Sequence, residues 1–216
     1  HTHTYRGTCT HPVTDAVYTK IQDQPRLFTC SVDKTIREWA VDRSWENCVR
    51  FSQGDQEQKR KEFAHKAPVS AIAVSTSVTS GETYMYSGSF DMTVREWKLS
   101  KDAMGAGTLM RIFPMDDWVG SLVVSTLTDD MVLIVGKYNG QIERLLMSQS
   151  KGKNQGGEKF GQNILPASEL SGHIVSSLVL LPGHRKLLVA SSDSNFYLID
   201  TGFDLDDSAE GKTCIE

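Results

Sequence analysis

The sequence predicts an all-β chain assembled from four repeats of a short antiparallel unit. Two observations carry that prediction. A thirteen-residue segment, Leu27 to Trp39, recurs without a gap at Met85 to Trp97 and in weaker form at Leu133 to Leu145 and Leu187 to Ile199. Throughout the chain, apolar residues alternate at strand period and show no helical period.

Each copy reads as two short strands joined by a tight turn at Asp33, Asp91, Asn139-Gly140 or Asp193. Asp and Asn favour such turns because their side chains bond the backbone just ahead, and Asn-Gly is a strong hairpin signal. Upstream of each hairpin lies another alternating run, opening at Val13, Val69, Val119 and Val175, which supplies an inner strand. After two of the Trp-bearing strands a further extended piece, near residues 47–51 and 108–113, completes four strands per unit.

The pattern of a histidine before the inner strand, an Asp in the turn and a Trp six residues later resembles the WD40 repeat family, whose members build β-propellers of four-stranded blades. The resemblance implies a structural tetrad. Unit one would hold it as His11, Thr29, Asp33 and Trp39, and unit two as His65, Ser87, Asp91 and Trp97. The third unit has Trp118 at the histidine position and Leu145 in place of Trp, while the fourth keeps His173 and Asp193 but has Ile199. Such a set satisfies a buried turn carboxylate through a relay of donors. A hydroxyl, His and Asp also suggest a hydrolase triad, but a set that recurs once per blade, without a G-x-S-x-G elbow, reads as structural.

The equivalent valines lie 56, 50 and 56 residues apart, against roughly 40 to 45 for the family. Loops must take up the excess, and the charged stretch 53–62 and the glycine-rich stretch 150–157 are where it falls. The blades are expected at 11–64, 65–115, 116–170 and 171–216, the last two degenerate, with residues 1–10 the outer strand of a preceding blade. The commonest ring of this family has seven blades. These four are therefore expected to be part of a larger ring, completed by sequence outside the chain or by another chain, and a chain that opens on His1 is expected to be cut from something longer.

A net charge of -4, with both signs interspersed, gives no positive field for nucleic acid or anionic lipid. No apolar run approaches the roughly 18 to 20 residues that span a bilayer. Cys9, Cys30, Cys48 and Cys214 are widely spaced and have no zinc-ligand pattern, so they read as reduced thiols, in keeping with the cytoplasm or nucleus. No cofactor or metal is expected, and no nucleophile, carboxylate pair or phosphate-binding loop points to an enzyme.

The resemblance places function at the propeller rim, where inner strands begin and hairpins turn. Thr14, Ser70, Gly120 and Ser176 follow the repeated valines, and Val32, Phe90, Tyr138 and Ser192 precede the turn residues; together they are expected to line the mouth of the channel. Small hydroxyls beside Phe90 and Tyr138 suit a peptide anchor, because rigid aromatics give contact area at low entropic cost. The expected function is a non-enzymatic scaffold or assembly subunit binding a protein or peptide. The alternative is a substrate-recognition module of a ubiquitin ligase. A reversal of charge between Arg95-Glu96 and Glu143-Arg144 also raises the expectation of ion pairs across the boundary between units two and three.

Overall fold

In the computed structural model, residues 11–40, 48–50, 64–101, 107–125, 131–147, 162–163, 172–181, 183 and 186–201 are described. All regular structure among them is β. The first sheet holds β1 (Val13–Ile21), β2 (Gln24–Ser31), β3 (Ile36–Ala40) and β4 (Cys48–Arg50) in that order. The second holds β5 (Val69–Thr76), β6 (Thr83–Ser89), β7 (Thr93–Leu99) and β8 (Gly107–Pro114), and the third β9 (Val119–Ser125), β10 (Val132–Lys137), β11 (Ile142–Leu146) and β12 (Gln162–Asn163). β13 (Val175–Leu180), β14 (Lys186–Ser191) and β15 (Phe196–Asp200) form the fourth. Every described pairing is antiparallel between strands adjacent in sequence, so each sheet is a meander, the build of a WD40-type propeller blade. The stretches 53–62 and 150–157, and residues 1–10, lie outside the described residues.

Apolar side chains gather at the joints between blades. One cluster, with Phe28, Cys30, Val69 and Trp97, lies between blades one and two. A second, with Tyr86, Val119, Leu133 and Val135, lies between two and three, and a third, with Ile134, Val175 and Val189, between three and four. Strand β10 shows why its sequence runs Val-Leu-Ile-Val without a polar break: Leu133 and Val135 face blade two while Val132 and Ile134 face blade four. A strand buried on both faces loses the polar alternation of a half-exposed one.

The inner strands pack in series, β1 on β5, β5 on β9 and β9 on β13. At each joint the valine that opens the next inner strand is fully buried against a small residue of the blade before it. Val119 seats over Gly88, where an added Cβ would lie 2.3 Å from its Cγ1, and Val175 over Gly136, at 2.4 Å. Cys30 occupies the same place in blade one and lies in one cluster with Val69. A hydroxyl closes each joint: Thr14 Oγ1 donates to the Val69 carbonyl at 2.5 Å, Ser70 Oγ to that of Val119 at 2.6 Å and Ser121 Oγ to that of Val175 at 3.2 Å.

The reversed charges do not tie blades two and three together as expected. Arg95 pairs with Asp91 and Glu143 with Lys137, while Glu96 takes a two-pronged bond from Arg111 at 2.6 and 2.8 Å. Each of these partners belongs to the same blade.

Gly136→Ala is expected to cost about 1 to 3 kcal/mol, because its methyl would drive into both Val175 and Ser121 Oγ in a packed joint. Urea unfolding of the variant checks this.

Candidate functional site

One edge of each of the four blades is built by the same turn. Oδ1 of Asp33, Asp91, Asn139 and Asp193 accepts the N–H two residues ahead, from Thr35, Thr93, Gln141 and Asn195. The residue between, Lys34, Met92, Gly140 or Ser194, lies in the left-handed region at φ 69°, 58°, 89° or 70°. That conformation is cheap for Gly140 and is held in the other three by the side-chain bond. The residue before each turn is fixed in the same way. The N–H groups of Val32, Phe90, Tyr138 and Ser192 donate to the carbonyls of Pro12, Pro68, Trp118 and Ile174 at 3.0 to 3.1 Å.

Blade two completes the relay that the sequence suggested. Trp97 Nε1–H donates to Ser87 Oγ at 3.0 Å, the Ser87 hydroxyl to His65 Nε2 at 2.8 Å, and His65 Nδ1–H to Asp91 Oδ2 at 2.9 Å. This order of donors requires a neutral imidazole protonated at Nδ1. Burial holds the His65 pKa below histidine's ordinary 6.5 despite the facing carboxylate. Burial would raise Asp91, but bonds from His65, Thr93 and the Lys66 N–H outweigh it and keep that carboxyl well below the usual range. Ser87 is fully buried and bonded on both sides, so the set serves as a strut rather than as a nucleophile.

His11 and His173 do not take the same place. His65 stands four residues before its valine, whereas His11 and His173 stand only two before theirs, which puts both at the exposed rim. In blade one Trp39 Nε1 still bonds Thr29 Oγ1 at 2.9 Å, and Asp33 is held by Thr35 and Arg37. In blade four Asp193 takes its bonds from the Tyr197 hydroxyl and the Asn195 N–H. Arg37, Arg95 and Tyr197, each four residues past the turn Asp, therefore share one task.

Blade three replaces the relay with an ion cluster that the sequence reading missed. Lys137 stands where the other blades have Ser31, Ser89 and Ser191, and is 1% exposed. Its ammonium donates to Asp116 at 2.6 Å, Gln141 at 2.7 Å and Glu143 at 3.3 Å, which satisfies all three N–H groups. A lysine ending the apolar run of β10, with Glu143 on the paired strand, is the signal that was there to find. Trp118 likewise occupies the place of Pro12 and Pro68, one before the valine, rather than the histidine's.

Of the expected rim residues, Thr14 and Ser70 commit their hydroxyls to the joints, so they are structural as well as peripheral. Val32 is half-buried, and Ser176 and Ser192 are exposed. Phe90 and Tyr138 come together, and Trp118 joins them. Phe90 stacks on Trp118 with centroids 5.3 Å apart at 18°, and Tyr138 meets both rings edge-on at 4.9 and 5.6 Å. Gly120 makes room for this group: a Cβ there would come within 3.4 Å of the Tyr138 ring and 2.5 Å of the Val175 carbonyl. Phe90 and Tyr138 remain partly exposed and Trp118 is 44% exposed, giving an aromatic surface at the boundary of blades two and three.

Among the described residues, no three His, Cys, Asp or Glu side chains lie together in a way that would hold a metal ion. Comparison with protein-family models matches residues 57–98 to the WD domain, G-beta repeat, which is the stretch leading into and forming the complete blade-two relay. Comparison with curated proteins gives no match. Domains of this kind generally act as protein-protein interaction modules and bind proteins or peptides.

Two predictions follow from the relay and its replacement. His65 contributes stability that is present above the unfolded pKa and is lost as pH falls below about 6.5, because the unfolded ring takes a proton that the folded ring resists. The difference in unfolding free energy between wild type and His65→Gln should therefore shrink on acidification, as read by urea titrations across that range. Lys137→Met, which strands the largely buried Glu143 carboxylate, should lower stability by about 3 kcal/mol at neutral pH.

Proposed function

Because the second unit is a WD40 repeat and its neighbours are blades of the same build, we propose that the chain is a non-enzymatic scaffold that holds a protein or peptide partner at the propeller rim. The observation that carries this reading is the aromatic group of Phe90, Trp118 and Tyr138. Three large side chains are fixed by backbone bonds and by one another at a mouth where blade one has only Pro12 and Val32, and where blade four has Ile174 and Ser192. A rigid, partly solvated aromatic surface is the usual anchor of a protein interface, since it brings contact area without a large ordering cost. The partner would insert an apolar or aromatic side chain against Trp118 and meet backbone and hydroxyl groups around it. The wide spacing of Cys9, Cys30, Cys48 and Cys214 is the ground for placing this work in the cytoplasm or nucleus.

Quantitative affinity purification with wild type, Trp118→Ala and Phe90→Ala checks the proposal. The expected result is a set of proteins lost from both variants and retained by Val78→Ser, which alters an exposed side chain between β5 and β6. Equal recovery on all four baits would remove the rim reading.

A further inference from the structure

The aromatic group at the boundary of blades two and three offers a partner rings and hydrogen-bond donors. Its three rings fill the space between themselves. Centroid separations of 4.9 to 5.6 Å leave no slot among them for a bulky side chain, and the Tyr138 ring already takes the room beside Gly120. What faces outward is a ledge, led by the exposed Trp118. The backbone beside it is committed: Phe90 N–H donates to the Pro68 carbonyl, Tyr138 N–H to that of Trp118, and the turn N–H groups of Thr93 and Gln141 to Asp91 and Asn139. By contrast, the Trp118 indole N–H and the Tyr138 hydroxyl have no acceptor among the described residues. Two carboxylates directly precede Trp118. Asp117 has no cation paired with it among the described residues, and Asp116, though bonded to Lys137, keeps a side chain that is 57% exposed.

We propose that the rim partner is a proline-rich segment in the polyproline II form with a lysine or arginine beside its prolines; this rests on the rim reading and names the chemistry of its ligand. A proline ring lies flat on an aromatic face and brings no backbone N–H that would need an acceptor here. A polyproline II chain makes no internal hydrogen bonds, so its carbonyls are open to the Trp118 N–H and the Tyr138 hydroxyl. A helix would cover the same two donors with carbonyls already bonded within itself and leave them unsatisfied. An added strand would need a row of open backbone groups, and those beside the rings are already paired. The chain is also stiff before it binds, which suits a ledge that cannot enclose its ligand. The basic residue meets Asp116 and Asp117 and sets the direction in which the segment lies.

Fluorescence anisotropy with a labelled, arginine-flanked polyproline peptide tests this on the whole chain. Wild type should bind it, and should bind the matched peptide with serines in place of prolines about tenfold or more weakly. Trp118→Ala should weaken binding of the polyproline peptide about tenfold or more. Tyr138→Phe keeps the ring and removes only the donor, so it should weaken binding by a smaller factor and leave thermal unfolding unchanged. Exchanging the peptide's arginine for glutamate should also weaken binding, and by less against Asp117→Asn than against wild type. No binding of the polyproline peptide, equal binding of the serine peptide, or an affinity unchanged by both Trp118→Ala and Tyr138→Phe would overturn the proposal. Failure of the polyproline peptide with continued recovery of proteins through Trp118 and Phe90 would mean a rim partner of another chemistry, which overturns this assignment and leaves the rim function standing.

Discussion

The structure depends on one contact made three times, a valine at the start of an inner strand pressed onto a residue with little or no side chain in the blade before it. Sheets alone do not hold this chain together, since no described sheet runs from one blade into the next. What joins blades is the burial of Val69, Val119 and Val175, backed by the larger residues on either side and by one hydroxyl-to-carbonyl bond per joint. A bond of this type contributes only about 1 kcal/mol. Its value lies in direction: it sets the register at which one inner strand meets the next, and apolar packing does not do that by itself. The same joint explains why the place under the valine is Cys30, Gly88 or Gly136 and never a large side chain.

The rim inherits its rigidity from this arrangement. Turns closed by Asp or Asn side chains place one residue per blade at the mouth, and the inner strands place another beside it. Blade two secures its turn with a buried neutral histidine, blade one with Arg37, blade four with Tyr197 and blade three with a lysine held among carboxylates. These are four chemical solutions to the same requirement, that a polar turn at the edge of an apolar joint have its groups satisfied. Only where blade three abandons the usual set do Gly120, Trp118 and Tyr138 create space and surface for the aromatic group.

Strand order, turn positions and blade identity were legible in the sequence because they follow from local rules: alternation, Asx turns and a repeat that matches position for position between blades one and two. The inner valines were legible too, but not what they touch, since that Val119 seats over Gly88 and Val175 over Gly136 follows only from the packing of one blade on the next. Histidines 11 and 173 misled because a motif read by residue type ignores a two-residue change in distance from the strand, and two residues are enough to carry a side chain from the buried joint to the rim. Lys137 went unread as well. Glu143, six residues on in the same hairpin, was a local signal passed over, whereas Asp116, which lies before the inner strand, meets the lysine only in the folded blade. Phe90 and Tyr138 were picked out by position, while Trp118 was assigned to the wrong place in the repeat.

The joint itself can be tested by a double-mutant cycle on Gly88 and Val119. Gly88→Ala puts a methyl where Val119 Cγ1 already lies, at 2.3 Å, and should destabilise the wild-type chain. In the Val119→Ala background the carbon at 2.3 Å is gone, leaving Val119 Cβ at 3.1 Å and Leu122 Cδ1 at 3.3 Å, and the same substitution should cost much less, giving a coupling above about 1 kcal/mol in urea unfolding. Additive effects, with Gly88→Ala costing the same in both backgrounds, would show that the valine seat does not hold the blades.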